Sequence, residues 1–181
     1  MLISKFGGAN ISDKIDEFED LIDKKVPVQL REFLIKYNGG ETPNTRFKNS
    51  GISSDVRYFL GMGKVKNPFD SSMIFEHNGN YILPFAFDSF GNNYGIDFLT
   101  GEIFFYDHEN NSVKKVSKDL REFIEKCESD GVKQSSVKSV EEREQELIKR
   151  GRGSIITDAL RDMWRAEIAK FGSMKLEDVN I

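Results

Sequence analysis

Residues 81–109 read YILPFAFDSFGNNYGIDFLTGEIFFYDHE and contain three apolar runs separated by two turn signals. The first run, Tyr81–Phe87, has apolar residues on both alternating faces, which is typical of a central strand that is covered on both sides. Pro84 cannot donate a backbone hydrogen bond to a neighbouring strand, so we expect a bulge or a sheet edge at that point. The run therefore predicts the first strand of a sheet.

Two turns follow, and each leads into another predicted strand. Residues 88–92 combine Asp, Asn and Gly, which bond their own backbone or accept a positive φ. Asn93–Phe98 is the next strand, with Tyr94, Ile96 and Phe98 on one face. Thr100-Gly101 closes a hairpin, and residues 102–107 return. The stretch thus predicts an antiparallel β-meander.

Apolar residues recur at three- and four-residue spacing in several flanking segments, which predicts amphipathic helices. The first runs over Ile11–Lys24 with Ser12 as its N-cap. The second opens at Pro27 and stops at Asn38-Gly39-Gly40. The third is capped by Ser117 and carries Leu120, Phe123, Ile124 and Cys127 on its apolar stripe.

The remaining segments before residue 120 are short. Residues 41–55 are polar and rich in turn-forming residues, so they are predicted to be a loop. Val56–Leu60 is β-branched and aromatic and is predicted to be a strand. Ser71–His77 fits either a strand or a helical turn, and residues 113–116 fit a further short strand.

The fold class predicted is α+β, with helices packed on a mostly antiparallel β-sheet around the central meander, plus a C-terminal helical extension. Residues 1–130 would form the domain, and residues 131–181 the extension, beginning in the linker Asp130–Ser139. A charged helix is expected over Val140–Arg150, and a second helix over 154–171, with Ser154 as its cap. The wide apolar stripe of helix 154–171 must be buried, either on the domain or in a homodimer.

The amino-acid composition of the chain limits the partners and the cellular compartment that we expect for it. The formal net charge is −4, which argues against nucleic acid as the main partner and is compatible with a basic protein. Cys127 is the only cysteine, so no internal disulfide can form. No signal peptide or membrane-spanning run is evident, and we expect a cytoplasmic protein without membrane contact.

The residues capable of chemistry form no recognised catalytic motif. His108 in Asp107-His108-Glu109 could be a general base or a metal ligand, but a turn that closes the meander explains it better, and no metal motif supports it. Ser89 could be a nucleophile with His108 as base and Asp97 as orienter, yet DSFGN is not the G-x-S-x-G elbow. No phosphate loop, metal site or cofactor site is predicted, and Cys127 is expected to be a small buried side chain.

Several motifs together resemble one family. They are YNGG at 37–40, VRYFLG at 56–61, LPFAFDSFGNNYGID at 83–97, TGEIFFYDHE at 100–109 and DLREFI at 119–124. In this order and spacing they are similar to the SUKH superfamily, which includes the yeast cell-wall glucan-synthesis regulators and many bacterial proteins. The resemblance covers about residues 11–127 and implies an α+β fold.

The resemblance also implies a function. Bacterial members of the superfamily are mostly immunity proteins that bind and neutralise toxin domains, often nucleases or deaminases, in polymorphic or contact-dependent toxin systems. We therefore expect a non-enzymatic partner of a cognate toxin. A scaffold or regulator without a dedicated toxin is the alternative, and a hydrolase using Ser89 or His108 is the third. The family-motif positions, expected to be structural, are Asp88, Gly91, Asn92, Asp97, Gly101, Asp107, His108 and Glu109.

Overall fold

A computed structural model describes residues 1–49, 51–132 and 138–181 of the chain. The architecture is α+β, as the sequence predicts: helices pack on a mostly antiparallel sheet, and a small second sheet lies beside it. The described residues form helices α1 (Ile11–Ile22), α2 (Val28–Tyr37), α3 (Leu120–Glu125), α4 (Val140–Lys149) and α5 (Asp158–Phe171), with 3₁₀ turns at Ser71–Met73 and Gly153–Ile155.

The main sheet is built from nine strands in the described part of the chain. They are β1 (Leu2–Lys5), β2 (Gly40–Glu41), β5 (Tyr58–Phe59), β6 (Phe75–His77), β7 (Asn80–Phe87), β8 (Asn93–Asp97), β9 (Ile103–Asp107), β10 (Ser112–Ser117) and β12 (Glu177–Asp178). The order across the sheet is β10-β9-β8-β7-β5-β2-β1-β12, and β6 also pairs with β7. The predicted meander is confirmed as β7-β8-β9, and it continues into β10.

Pro84 lies where the sheet can accommodate it. The register between β7 and β8 shifts between Pro84 and Ala86, which confirms the predicted bulge. On the other side of β7, β6 pairs with residues 80–82 and β5 with residues 86–87, so Pro84 lies between the two paired segments. Its missing N–H therefore interrupts no ladder there.

The predicted loop over residues 41–55 is wrong. Its described residues form β3 (Thr45–Asn49) and β4 (Ile52–Asp55), which pair with each other, while β3 also pairs with β11 (Cys127–Ser129). Arg46, Lys48 and Ser53 of this hairpin are exposed. Phe47 is buried between Tyr94 and Phe123, with ring centroids 5.3 and 5.0 Å away. The small sheet thus closes over α3 and the main sheet.

Helices α1 and α2 form a hairpin that a buried carboxylate holds together. Glu19 is 4% exposed, and its Oε1 accepts hydrogen bonds from the backbone N–H of Val26 and from Arg31. Its Oε2 accepts one from Lys25 Nζ at 2.7 Å. A buried charge is tolerated because it is paired and hydrogen-bonded, so Glu19 fixes the connection between the two helices.

Three predicted helix caps are corrected. Ser12 lies inside α1, which begins after Asn10 at φ +54°. Ser117 ends β10, and Asp119 caps α3 instead by accepting a hydrogen bond from Glu122 N–H at 2.8 Å. Ser154 lies in a 3₁₀ turn, and Thr157 caps α5. Each of these helix starts carries more than one residue of a type that can cap a helix, so residue type alone does not identify the cap.

The core lies between the sheet and the helices and is rich in aromatic rings. Phe123 of α3 contacts Phe85 and Tyr94 of the meander at centroid distances of 5.4 and 4.9 Å. Phe59 of β5 packs on Phe33 of α2 at 5.0 Å. Cys127 is buried as predicted, but it begins β11 rather than lying on the α3 stripe.

The chain after residue 138 leaves the sheet and returns to it. Helices α4 and α5 pack on each other through ion pairs, with Arg143 Nη1 at 2.8 Å from Glu167 and the Arg143 guanidinium 5.8 Å from the Trp164 ring. Then β12 pairs with β1, and Val179 joins the domain core. The boundary near residue 130 stays a prediction; the linker assigned to Asp130–Ser139 includes residues 133–137, which lie outside the described residues.

Of the helices in the three described ranges, none is both long enough and apolar enough to cross a membrane.

Candidate functional site

The turn between β7 and β8 is organised by the carboxylate of Asp88, which is 3% exposed. Its Oδ1 accepts hydrogen bonds from the backbone N–H groups of Phe90 and Asn92, both at 2.8 Å. Its Oδ2 accepts from Ser54 Oγ at 2.6 Å and from Asn92 Nδ2 at 2.7 Å. Four hydrogen-bond donors therefore surround this carboxylate, and the one from Ser54 connects the turn to β4. Asp88 thus has a structural role.

The other motif residues of this turn bond to one another. Asn92 Oδ1 accepts hydrogen bonds from the backbone N–H of His108 at 3.1 Å and from its Nδ1 at 2.8 Å. Gly91 adopts φ +94°, and an added Cβ would lie 3.4 Å from the His108 ring. Asn92 thus links the β7–β8 turn to the end of β9, and Gly91 supplies the positive φ of the turn, which side chains rarely adopt.

In the two remaining motif turns, an aspartate side chain again accepts hydrogen bonds from backbone N–H groups. Asp97 Oδ1 accepts from the N–H groups of Leu99 and Thr100 at 2.7 and 2.9 Å, and Gly101 N–H bonds the Asp97 carbonyl. At the end of β9, Asp107 Oδ1 accepts from Glu109 N–H at 3.0 Å. Each aspartate therefore closes its turn by accepting backbone hydrogen bonds.

The residues of the hydrolase hypothesis are held by other partners. Ser89 Oγ donates to Asp55 Oδ2 at 2.5 Å, and His108 Nδ1 bonds Asn92. Asp97 lies at the opposite end of β8, roughly 13 Å along the strand from the turn, because a strand rises about 3.4 Å per residue. Ser89, His108 and Asp97 are therefore not brought together as a nucleophile, a base and its orienter.

In the described ranges, the side chains are not arranged for metal binding or for thiol catalysis. No group of three His, Cys, Asp or Glu residues there could hold a metal ion. Burial raises the pKa of the Cys127 thiol well above its usual value, which disfavours the reactive thiolate.

A feature that was not predicted from the sequence lies on the face of the sheet opposite the core. One side chain from each of five neighbouring strands forms a row, because consecutive members are paired across the sheet. The members of this row, which we call the open-face row, are Tyr58, Phe87, Asn93, Tyr106 and Val113. As predicted, β7 has apolar side chains on both of its faces. Helices cover only the face that points to the core, and the opposite face is partly open.

The open-face row borders a concave pocket of about 570 Å³, which we call the open-face pocket. The segment before β7 forms its rim, with Phe75 and Glu76 among the lining residues. Tyr106 packs on Phe75 at a centroid distance of 5.3 Å, and Phe87 stacks on Tyr58 at 5.4 Å. The signal for this site is the aromatic residues at Phe87 and Tyr106, which occupy the outward position of their strands.

A second concavity of about 650 Å³ lies on the small sheet and includes Arg46, Lys48 and Glu128. Its charges are already used within the chain, since Lys48 Nζ lies 2.5 Å from Glu128 and Arg46 pairs with Asp130 at 3.0 Å. This concavity therefore offers a ligand fewer free groups than the open-face pocket.

Helices α4 and α5 present apolar side chains to solvent. Ile148 of α4 is 60% exposed and Met163 of α5 57%, and Ile155 in the 3₁₀ turn between the two helices is 44% exposed. In the stripe predicted for helix 154–171, Trp164 is the buried member, and it lies outside the main core cluster. The stripe is thus only partly covered within this chain.

Comparison with known proteins gives one match. A family model with the description SUKH_6, SMI1-KNR4 cell-wall, matches residues 12–124, which run from the second residue of α1 to the fifth residue of α3 and include the whole meander. Neither a search of curated proteins nor a search of solved structures finds a significant match.

Proposed function

This chain belongs to the SMI1-KNR4 family of the SUKH superfamily, and from that premise we propose that it is an immunity protein that binds and neutralises a cognate protein toxin. The observation that carries the proposal is the family match over residues 12–124, which includes the whole meander. Bacterial members of the superfamily are mostly such proteins. The toxin would be a nuclease or a deaminase of a polymorphic or contact-dependent system, met in the cytoplasm.

The roles found for the motif residues support action by binding. Asp88 and Asn92 use their side-chain polar atoms in hydrogen bonds to the backbone and to neighbouring side chains, and Asp97 uses its Oδ1 in the same way. We propose that the family-motif positions hold the fold and that the protein is not an enzyme. Recognition would then use surfaces that these turns position.

A growth-rescue experiment tests this function. The toxin domain encoded beside this gene is expressed from an inducible promoter, with or without the full chain, and an unrelated toxin domain serves as the control. We expect growth to be restored only with the cognate domain and a stable complex to form with purified proteins. Failure of both rescue and complex formation would refute the immunity role.

A scaffold or regulator is the second candidate, and the exposed apolar side chains of α4 and α5 favour it. Such side chains suit a protein contact, either with a second copy of this chain or with another partner. The double variant Ile148→Ser with Met163→Ser distinguishes the two functions. A scaffold acting through these helices would lose assembly, measured by light scattering, whereas an immunity protein acting through the domain would still rescue growth.

A further inference from the structure

We propose that the free edge of β4 binds an extended segment of the partner protein, which adds a strand to the small sheet. This inference rests on the proposed immunity function and deepens it, since it assigns the contact and the backbone chemistry that recognises the partner. It follows from three features of the molecule: a strand edge that is open on one side, a groove along that edge, and a groove lining that suits a peptide backbone.

The open edge of β4 presents the backbone groups of Ser53. In the described small sheet, whose order is β11-β3-β4, β4 pairs with β3 alone. The Thr45 carbonyl accepts a hydrogen bond from Val56 N–H at 2.9 Å, so every second residue from there is hydrogen-bonded between β3 and β4. Lys48 N–H instead donates to the Lys126 carbonyl at 2.9 Å, on the β11 side. Because Ser53 is the cross-strand partner of Lys48, its N–H and C=O point away from β3.

The edge of β4 lacks features that protect another edge of this fold. Lys114 and Lys115 lie on β10, the last strand of the main sheet, which also has a shift in register. Lysines and bulges at a sheet edge oppose the addition of a further strand. β4 has the sequence ISSD and a regular register, without lysine or proline. One end of β4 is closed, because the Tyr94 hydroxyl donates to the Asp55 carbonyl at 3.2 Å, and the position of Ser53 stays open.

A groove of about 210 Å³, which we call the β4 groove, runs along this edge. Residues 51–54 form one wall. The other wall is the core-facing side of the β9–β10 hairpin, where Phe105 pairs with Lys114 and Asp107 pairs with Ser112. A strand added about 4.8 Å from β4 would lie in this groove and would continue the small sheet over the end of β9 and β10.

The size and lining of the β4 groove favour a polypeptide over a small molecule. Its volume is below the roughly 300–1,000 Å³ of small-molecule and cofactor sites, which are also mostly apolar. Here the backbone of Ser53 supplies a donor and an acceptor, and polar side chains such as Asn110 and Lys114 line the opposite wall. An extended backbone matches this edge, because it carries N–H and C=O groups at the spacing of a strand.

A second copy of this chain suits the β4 groove less well than an extended segment does. In that copy, Ser54 would be bonded to Asp88, and Asp55 to Ser89, and both of these bonds join β4 to the β7–β8 turn. The turn would therefore have to enter the groove together with β4. A loop or terminus of the partner that lies outside any sheet enters alone, so we assign the groove to such a segment.

Hydrogen exchange on the full chain tests the contact. The probe is the toxin domain used for growth rescue, and two-dimensional NMR follows the Ser53 N–H in the free chain and in the complex. We expect fast exchange in the free chain, because this N–H points away from β3, and at least about tenfold slower exchange in the complex. The Ser54 N–H, which points to β3, is the internal reference and should exchange slowly in both states. A complex in which Ser53 exchanges as in the free chain would overturn the proposal.

Two variants test the same hydrogen bond. Ser53→Pro removes the outward N–H and leaves the bonds between β3 and β4 in place, as proline on an edge strand can. It should weaken toxin binding about tenfold or more in calorimetry, because a hydrogen bond is lost and the ring blocks the edge. Ser53→Ala keeps the N–H and is the matched control, which should bind like the wild type. Wild-type affinity of a folded Ser53→Pro chain, or equal losses for both variants, would overturn the proposal; if circular dichroism shows Ser53→Pro unfolded, the exchange experiment decides.

A capped peptide tests the edge without the toxin. The probes are acetyl-Thr-Val-Ser-Val-Thr-amide and the same peptide with its central nitrogen methylated, titrated into the full chain. We expect saturable shifts of the Ser53 N–H in the millimolar range with the first peptide and about fivefold weaker binding of the second, which lacks one backbone donor. Equal binding of the two peptides would overturn the proposal. Self-association of the wild type that Ser53→Pro abolishes, measured by light scattering, would identify a second copy as the occupant and would also overturn it.

The two proposals fail separately. A chain that rescues growth and forms the toxin complex without protection of Ser53 keeps its immunity role and loses this contact. A chain that binds the peptide at Ser53 but neither rescues growth nor forms a complex loses the immunity role and keeps a strand-addition edge. A chain that binds neither the toxin nor the peptide loses both.

Discussion

Replacing Asp88 by asparagine tests whether the family motif is structural. The carboxylate accepts four hydrogen bonds of 2.6–2.8 Å, two from backbone N–H groups and two from side chains. Asparagine has the same shape, but its NH₂ group must face two of these donors. The least costly orientation keeps the oxygen toward the backbone donors of Phe90 and Asn92 and sets the NH₂ against Ser54 and the Asn92 amide.

The expected loss follows from these contacts. The Ser54 hydroxyl can rotate and accept, but the Asn92 amide cannot turn without breaking its bonds to His108. One to two charge-assisted hydrogen bonds are therefore lost, which is about 2–4 kcal/mol of unfolding free energy. This is a large share of the roughly 5–15 kcal/mol that stabilises a typical domain.

Urea unfolding followed by circular dichroism measures the change. Asp107→Asn is the matched control, since among the described residues Asp107 accepts hydrogen bonds only from Glu109 N–H and Asn110 Nδ2, in an exposed turn. We expect it to cost less than about 1 kcal/mol. Equal losses for the two variants would refute the structural role, and so would a folded, stable Asp88→Asn protein that no longer rescues growth.

Three further predictions concern stability. Burial raises the pKa of the Cys127 thiol, so with rising pH this thiol loses its proton in the unfolded chain before it does so in the folded protein. The free energy of unfolding should therefore fall by about 2 kcal/mol from pH 8 to pH 10. Cys127→Ala should show a smaller decrease in the same urea titrations. Deleting residues 173–181 removes β12 and the buried Val179, so unfolding free energy should fall by about 2–4 kcal/mol; a change below about 0.5 kcal/mol would contradict this packing. Gly39→Ala should prevent folding or cost at least 3 kcal/mol more than Gly79→Ala. The two glycines have similar positive φ, but of the two only Gly39 would bring an added Cβ to 2.3 Å from a backbone oxygen. Equal thermal melting temperatures of the two variants would show that the backbone can move aside.

The elements predicted well are those whose pattern reflects one buried face. The meander and helices α1 and α2 carry regular apolar periodicity, and Pro84 marks its own bulge because it lacks a donor. The hairpin of β3 and β4 escaped prediction because its strands are mostly polar and depend on β11, about 80 residues further along the chain. Such pairing at long range leaves no local signal.

The candidate site was predicted in part. Aspartate, asparagine and glycine in the turns pointed to local backbone bonding, which the geometry of Asp88 and Asp97 displays. The open-face pocket was not predicted, because an aromatic residue such as Phe87 is equally typical of a covered face. Only the strand register shows that Asn93 lies between two rings.

The position of Trp164 gives the protein two separate optical probes. It is the only tryptophan in the sequence, and the Arg143 guanidinium lies over its ring, away from the main core. Its fluorescence therefore reports on helices α4 and α5. The change in tyrosine absorbance on unfolding, to which the buried Tyr37 and Tyr94 contribute most, reports on the main core. Coincident melting of the two signals would mean that the helices and the sheet unfold as one cooperative unit, and separate melting would give the helical pair a stability of its own.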